Sequence, residues 1–165
     1  MTMVIIFCGV PGSGKSTVAR MLVDPLEEKG SVRLFVSDQI PGQRYKRISR
    51  LLKENLNKVN YILIDGTFYK KEWREEIKEI AGKENVFICY LHCSLKTCLE
   101  RNQEREPSLP DRVIHIINAE IEKPERPDIV IDTDKVGPEE AVSQILEKIK
   151  EKEVKGEPKV GFSNF

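Results

Sequence analysis

Apolar residues in this chain fall into short continuous runs, separated by stretches in which they recur every three to four positions. The runs are Val4–Cys8, Val32–Val36, Tyr61–Ile64, Val86–Leu91 and Asp128–Ile131. Their length predicts strands, and uninterrupted stretches such as Tyr61-Ile-Leu-Ile64 predict burial on both faces, as in a parallel sheet. Amphipathic stretches near 15–28, 44–57, 69–81, 95–104, 111–122 and 138–152 predict helices. Strand and helix alternate, so right-handed crossovers lead to a three-layer α/β fold. Asp24-Pro25 should kink the first helix or end it early. Gly137-Pro138 should open the last one, with Pro138 in the first turn, where a missing amide does little harm. The expected domain is 1–153. The period fades after Glu153, and 154–165 reads as an extended or disordered tail, with Phe162 and Phe165 available to dock.

Composition narrows the setting. At 165 residues one domain is expected. The chain carries 27 basic and 27 acidic side chains, so no whole-molecule field attracts nucleic acid, and any such role needs a local patch. The apolar runs are too short to span a bilayer. The chain opens directly into a strand, so no secretory signal is expected. Four cysteines, Cys8, Cys89, Cys93 and Cys98, lack the C-x-x-C spacing of a zinc site. Cys8 and Cys89 fall inside strands as small hydrophobes. Cys93 and Cys98 could approach each other after the fourth strand but are expected to be ordinary thiols, and the expected location is the reducing cytoplasm.

The candidate chemistry starts between the first strand and first helix. Gly9 to Ser16 reads G-x-x-x-x-G-K-S, a Walker A phosphate loop in its required context. Gly9, Gly12 and Gly14 allow a close approach to phosphate, and the loop Pro11, Gly12, Ser13, Gly14, Lys15, Ser16 and Thr17 can turn its N–H groups, which begin at Gly12, toward an anion at the helix start. Lys15 is expected at the β- and γ-phosphates and Ser16 at Mg²⁺. The loop predicts binding of a nucleoside triphosphate, with ATP and Mg²⁺ as cofactors.

In such a sheet, ligands gather beyond the carboxyl ends of the strands. After the second strand comes Asp38, suited to accept or orient the proton of an attacking hydroxyl, or to cap a helix. Asp65 ends the third strand, where an acid holds Mg²⁺ or shapes a turn. Thr67 and Tyr69 follow as candidate substrate-wall residues. Arg101 and Arg105, four apart, should share one helix face and neutralise charge on the transferring phosphate, with a lid near 101–110. Arg44 and Arg47, with Lys46 and Arg50, form a patch for an anionic acceptor or a plain solvated face. Trp73 reads as core.

These motifs resemble the small P-loop kinases. GVPGSGKS, the Ser37-Asp38 step, ILIDGTFY and RNQER are similar to the seryl-tRNA(Sec) kinase group and to the kinase domain of phage-type polynucleotide kinases, over about residues 3–124. The resemblance implies a five-stranded parallel sheet in the order 2-3-1-4-5, Asp38 as the acceptor-activating acid, and Arg101 and Arg105 as lid arginines. The segment from Pro127 to Lys150 resembles the end of adenylylsulfate kinases, although the chain lacks that family's D-G-D-N-V-R, F-I-S-P and R-D-x-K-G segments. The implied activity is phosphoryl transfer to a hydroxyl on adenylylsulfate, another small metabolite or nucleoside, or an RNA-linked group. A nucleotide-dependent switch or tRNA-modification assembly factor is the alternative. No membrane partner is implied, and nothing points to a particular protein partner.

Overall fold

The computed structural model describes residues 1–40 and 42–156. Five strands make one parallel sheet: β1 (Met3–Cys8), β2 (Val32–Val36), β3 (Tyr61–Asp65), β4 (Val86–His92) and β5 (Ile129–Asp132). Their order is β2-β3-β1-β4-β5, as expected, with β1 at the centre. The register pairs Phe7 with both Asp65 and Cys89, Val36 with Asp65, and His92 with Asp132. That register brings the carboxyl ends of all the strands to one edge.

Helices α1 (Lys15–Glu27), α2 (Arg44–Asn55), α3 (Lys71–Ala81), α4 (Leu95–Glu104), α5 (Asp111–Glu120) and α6 (Pro138–Gly156) connect and flank the strands. Strand side chains alternate between two apolar layers. Ile5, Phe7, Leu63, Phe87 and Leu91 pack with Val18 and Leu22 of α1 and Ile145 and Ile149 of α6. Val4, Ile6, Ile62, Ile64 and Ile88 pack with Ile48 and Leu52 of α2 and Ile77 of α3. Each such side chain contributes about 1.5–3 kcal/mol when fully buried. A smaller cluster of Val10, Cys98 and Ile114 seats α4 and α5 against the start of the phosphate loop.

Local chemistry moves several boundaries. Helix α1 passes through Pro25 and ends at Glu27. Pro25 lies in the last turn, so little of the amide ladder is lost, and the Lys29 and Gly30 amides close on Leu26 O at 2.9 and 3.0 Å. Asp128 stands outside β5, and its carboxylate accepts from the Ile88 amide at 2.7 Å and from Lys152 at 3.1 Å. Helix α6 runs to Gly156, so residues 154–156 are helical where a tail was expected. Its last turns are tied down at Glu153, which accepts from Tyr61 Oη and from Lys29 Nζ, the latter at 2.9 Å. Phe162 and Phe165 lie outside the described residues. Among the described residues no helix is long and apolar enough to cross a membrane.

Arg74 joins two segments that border the strand ends. It is 4% exposed, and its guanidinium donates to Phe68 O and, at 2.7 Å, to Glu122 O. Removing it would leave Glu122 O without that donor and Phe68 O with only the weak Cys8 thiol at 3.4 Å. Arg74→Met should therefore lower the unfolding free energy by about 1–3 kcal/mol for each carbonyl left buried and unpaired, read by urea denaturation. A change below about 0.5 kcal/mol would mean that water reaches both carbonyls, as at an ordinary surface position.

Candidate active site

Residues 9–16 carry the chain from β1 into α1. Gly12 has φ +89°, and a Cβ there would lie 2.4 Å from Cys98 O, so only glycine fits beside α4. Gly14 starts α1 at φ +97°. The loop's carbonyls are held both from within the loop and from outside it. Val10 O accepts from the Ser13 amide at 3.0 Å and from Lys15 Nζ at 3.3 Å. Gly12 O accepts from Arg101 Nη1 at 3.2 Å, and Ser13 O accepts from Thr133 Oγ1 at 2.8 Å. The first-turn amides of α1 have no intrahelical acceptor, which leaves a positive helix start for an anion. Ser13 Oγ is fully buried and without a hydrogen-bond partner among the described residues.

Lys15 is buried, at 7% exposure. Burial pushes its ammonium group below the usual lysine range, while the charges of Asp65, Cys8 and Asp38 oppose that shift and Arg105 adds to it. A buried ammonium with no ion pair among the described residues favours an arriving anion. Ser16 Oγ donates to Asp65 Oδ2 at 2.6 Å, and Asp65 is 4% exposed. A hydroxyl and a carboxylate at a strand end are hard oxygen donors. That set fits Mg²⁺, which takes one or two protein ligands and completes its shell with phosphate and water.

Asp38 lies in a short 3₁₀ turn after β2, with its side chain exposed. Its Oδ2 accepts from Arg105 Nη2 at 3.2 Å, and its Oδ1 is 3.5 Å from Arg44 Nη1. Arg101 and Arg105 do not share a helix face. Helix α4 ends at Glu104 and Arg105 is extended (φ −89°, ψ 150°), so its side chain leaves in another direction. Arg101 binds Gly12 O, Thr133 Oγ1 at 2.9 Å and Thr133 O at 3.0 Å, while Arg105 reaches Asp38. Between them, Asn102 is 1% exposed and clasps Leu109 through both amide atoms, donating to its carbonyl at 2.7 Å and accepting from its amide at 3.0 Å.

Beyond β3, Thr67 Oγ1 lies 3.1 Å from Tyr45 Oη, which also accepts from the Phe68 amide at 3.1 Å. Phe68 is fully buried at φ +42°, an unfavourable conformation for a bulky residue that Tyr45 and Arg74 hold in place. Trp73 stacks on Tyr45 with ring centroids 4.0 Å apart, and Tyr69 meets Trp73 edge-on at 5.1 Å. Trp73 packs against the α2–α3 apolar layer, as expected. Arg47 is exposed one turn beyond Arg44 and makes no ion pair among the described residues.

The structure adds a wall that the sequence reading passed over. Thr133 follows β5, its hydroxyl bridging Ser13 O and, at 3.3 Å, His92 O. Beside it, a cavity of about 370 Å³ is lined by Gly14, Thr17, Arg101, Thr133, Lys135 and Gly137 among others. The one sequence signal of Thr133 is its position, immediately beyond the carboxyl end of the fifth strand. Asp134, the next residue, accepts from the Ser94 amide and Thr97 Oγ1, each at 2.6 Å, and these bonds hold its carboxyl below the usual range.

A family model described as AAA domain matches residues 4–124. The chain is similar to an adenylyl-sulfate kinase of Thermodesulfovibrio yellowstonii, 32% identical over 171 residues, which cover 90% of this chain and 84% of that protein. It is 37% identical to the L-seryl-tRNA(Sec) kinase of Mus musculus over 76 residues, or 45% of this chain, and so spans about a fifth (21%) of that protein. Among solved structures, the Mycobacterium tuberculosis APS kinase CysC in complex with AMPPNP and APS shares the fold. Its TM-score is 0.74 at 20% identity, over 90% of this chain and 98% of that one.

The Thr133 hydroxyl is the bond between the β5 end and the phosphate loop. Thr133→Val keeps the shape and removes the hydroxyl, leaving Ser13 O without its donor. It should cost about 1–2 kcal/mol of stability and speed hydrogen exchange of the amides at 12–15. Unchanged exchange there would show that the loop holds its shape without this bond.

Proposed function

We propose that this chain, which belongs to the AAA domain family, is an ATP-dependent kinase that transfers the γ-phosphate to a hydroxyl acceptor. One observation carries the reading. The exposed carboxylate of Asp38 meets Arg105 at 3.2 Å, within Coulombic reach of Lys15 in the phosphate loop. A proton acceptor, a solvent-accessible cation and a phosphate cradle together support this reading.

In this reading the first-turn amides of α1 and the Lys15 ammonium bind the β- and γ-phosphates. Ser16 and Asp65 would hold Mg²⁺, which when bound offsets negative charge on the phosphate oxygens. The nucleoside end of ATP occupies the cavity beside Thr133 and Gly137, with Arg101 bracing that wall. Asp38 orients the acceptor hydroxyl and takes its proton. The acceptor oxygen forms a bond to the γ-phosphorus while the bond to the bridging oxygen breaks, and ADP leaves. Arg105 exchanges Asp38 for the γ-phosphate oxygens and neutralises the charge that develops there.

Arg44, beside Asp38, and Arg47, one helical turn further on, favour an acceptor that is itself negatively charged. Thr67 and Tyr69 wall the acceptor side. The relatives' names supply two candidates of that kind, a small adenylylated anion and a hydroxyl carried on RNA. The cytoplasm is the compartment proposed for this activity.

The reading is tested with γ-labelled ATP against a panel of small anions, nucleosides and RNAs, where label should move to an acceptor. Acceptor-independent phosphate release across the whole panel would overturn it in favour of a nucleotide switch. Lys15→Ala should lower turnover on the order of 10²–10³-fold, the usual effect of losing one transition-state donor. Asp38→Asn should leave ATP affinity intact while turnover falls. Equal loss of both would make Asp38 a structural residue.

A further inference from the structure

We propose that Cys93 and Cys98 are an oxidisable pair, which hydrogen peroxide converts to a disulfide that weakens the phosphate loop's hold on nucleotide. The two sulfurs are 2.7 Å apart, inside ordinary van der Waals contact and only a short step from an S–S bond length of about 2.0 Å. All four cysteines are free. The proposed site lies outside the reacting groups described above and directly beneath the phosphate loop.

The two partners are suited to different halves of the reaction. Cys93 is half-buried and immediately precedes Ser94, the residue that caps α4, so its sulfur lies near a positive helix end. Cys98 is 2% exposed, on the first turns of the same helix. The hydrogen bond from Cys98 lowers the Cys93 thiol to about 7. Arg101 and the Thr133 hydroxyl act in the same sense, while burial and Asp134 oppose them. The same bond, with burial, pushes the Cys98 thiol up. Cys93 is thus the reactive sulfur, and Cys98 the one held in reserve.

The steps balance. The Cys93 thiolate attacks the peroxide, an S–O bond forms as the O–O bond breaks, and the departing oxygen leaves as water after taking a proton. The Cys98 sulfur then attacks the sulfenic sulfur. An S–S bond forms, the S–O bond breaks, and a second water carries away the Cys98 proton. The pair loses two electrons and the peroxide gains them. A dithiol reductant reverses the change by exchange.

The coupling to the loop is steric. Gly12 packs so closely on Cys98 that a Cβ would meet Cys98 O at 2.4 Å, and Cys93 Sγ lies 3.8 Å from Gly12 O. Arg101, one turn further along α4, holds Gly12 O directly. Drawing the sulfurs from 2.7 Å to a bond of about 2.0 Å shifts the first turn of α4, and with it the backing of Gly12. The effect on nucleotide rests on the kinase reading above, whereas the bond itself does not.

The test treats the full chain with hydrogen peroxide, maps the cysteines by alkylation and peptide mass, and measures ATP affinity before and after. A Cys93–Cys98 disulfide should form, with ATP binding about fivefold or more weaker and restored by dithiothreitol. Cys93→Ser should bind ATP as the reduced protein does and ignore peroxide. Both thiols still alkylated after peroxide, or a disulfide that leaves ATP affinity unchanged, would overturn the proposal. If the reduced protein binds no ATP, the kinase reading fails instead. Peptide mapping, with hydrogen exchange of residues 9–16, then decides the thiol pair on its own.

Discussion

The carbonyl oxygens of Gly12 and Ser13 receive donors from outside the phosphate loop, the Arg101 guanidinium and the Thr133 hydroxyl, while Val10 O is held within the loop by the Ser13 amide and Lys15 Nζ. A peptide unit fixed by its carbonyl has its amide fixed too, because the two groups share one plane. Holding the loop from behind therefore sets where its N–H groups point in front. The arrangement draws on β5 and α4, which lie far along the chain from the loop itself. This explains why the β4–α4 junction and the β5–α6 junction are packed so closely on a segment near the amino terminus.

Electrostatics follow the same local logic. The chain has 27 basic and 27 acidic side chains, so its field comes from placement and not from excess. Lys15 is desolvated at the bottom of the cleft, where Asp65 and Asp38 partly offset its charge. Such a group gains from an arriving phosphate what it lost to burial. At the rim, Asp38 is shared between Arg44 and Arg105, and both arginines are solvent-accessible enough to change partner.

Much of this was legible in the sequence. The strand runs, their double-sided burial, the phosphate loop and the acid after β2 all have local signatures, because strand period and turn chemistry act over a few residues. The strand order came from family resemblance, since crossover geometry leaves no mark in periodicity. Thr133 was missed because a threonine after a strand carries no spacing of its own. Its role depends on the meeting of β5 with a loop 120 residues earlier. A spacing of four predicts one face for Arg101 and Arg105, but nothing local marks Glu104 as the helix end, where the backbone turns extended. Nothing in the sequence marks Arg74 as buried. Only the positions of Phe68 O and Glu122 O reveal why it is buried.

The clasp between Asn102 and Leu109 has its own consequence. Both ends of the intervening segment are joined through a single buried side chain, so 103–108 is a closed excursion that meets the site through Arg105, the residue any exchange must keep. Exchange of that excursion between homologues, at constant end points, gives protein engineers a cassette. It would alter what sits over the cleft mouth while leaving the hydrophobic layers untouched.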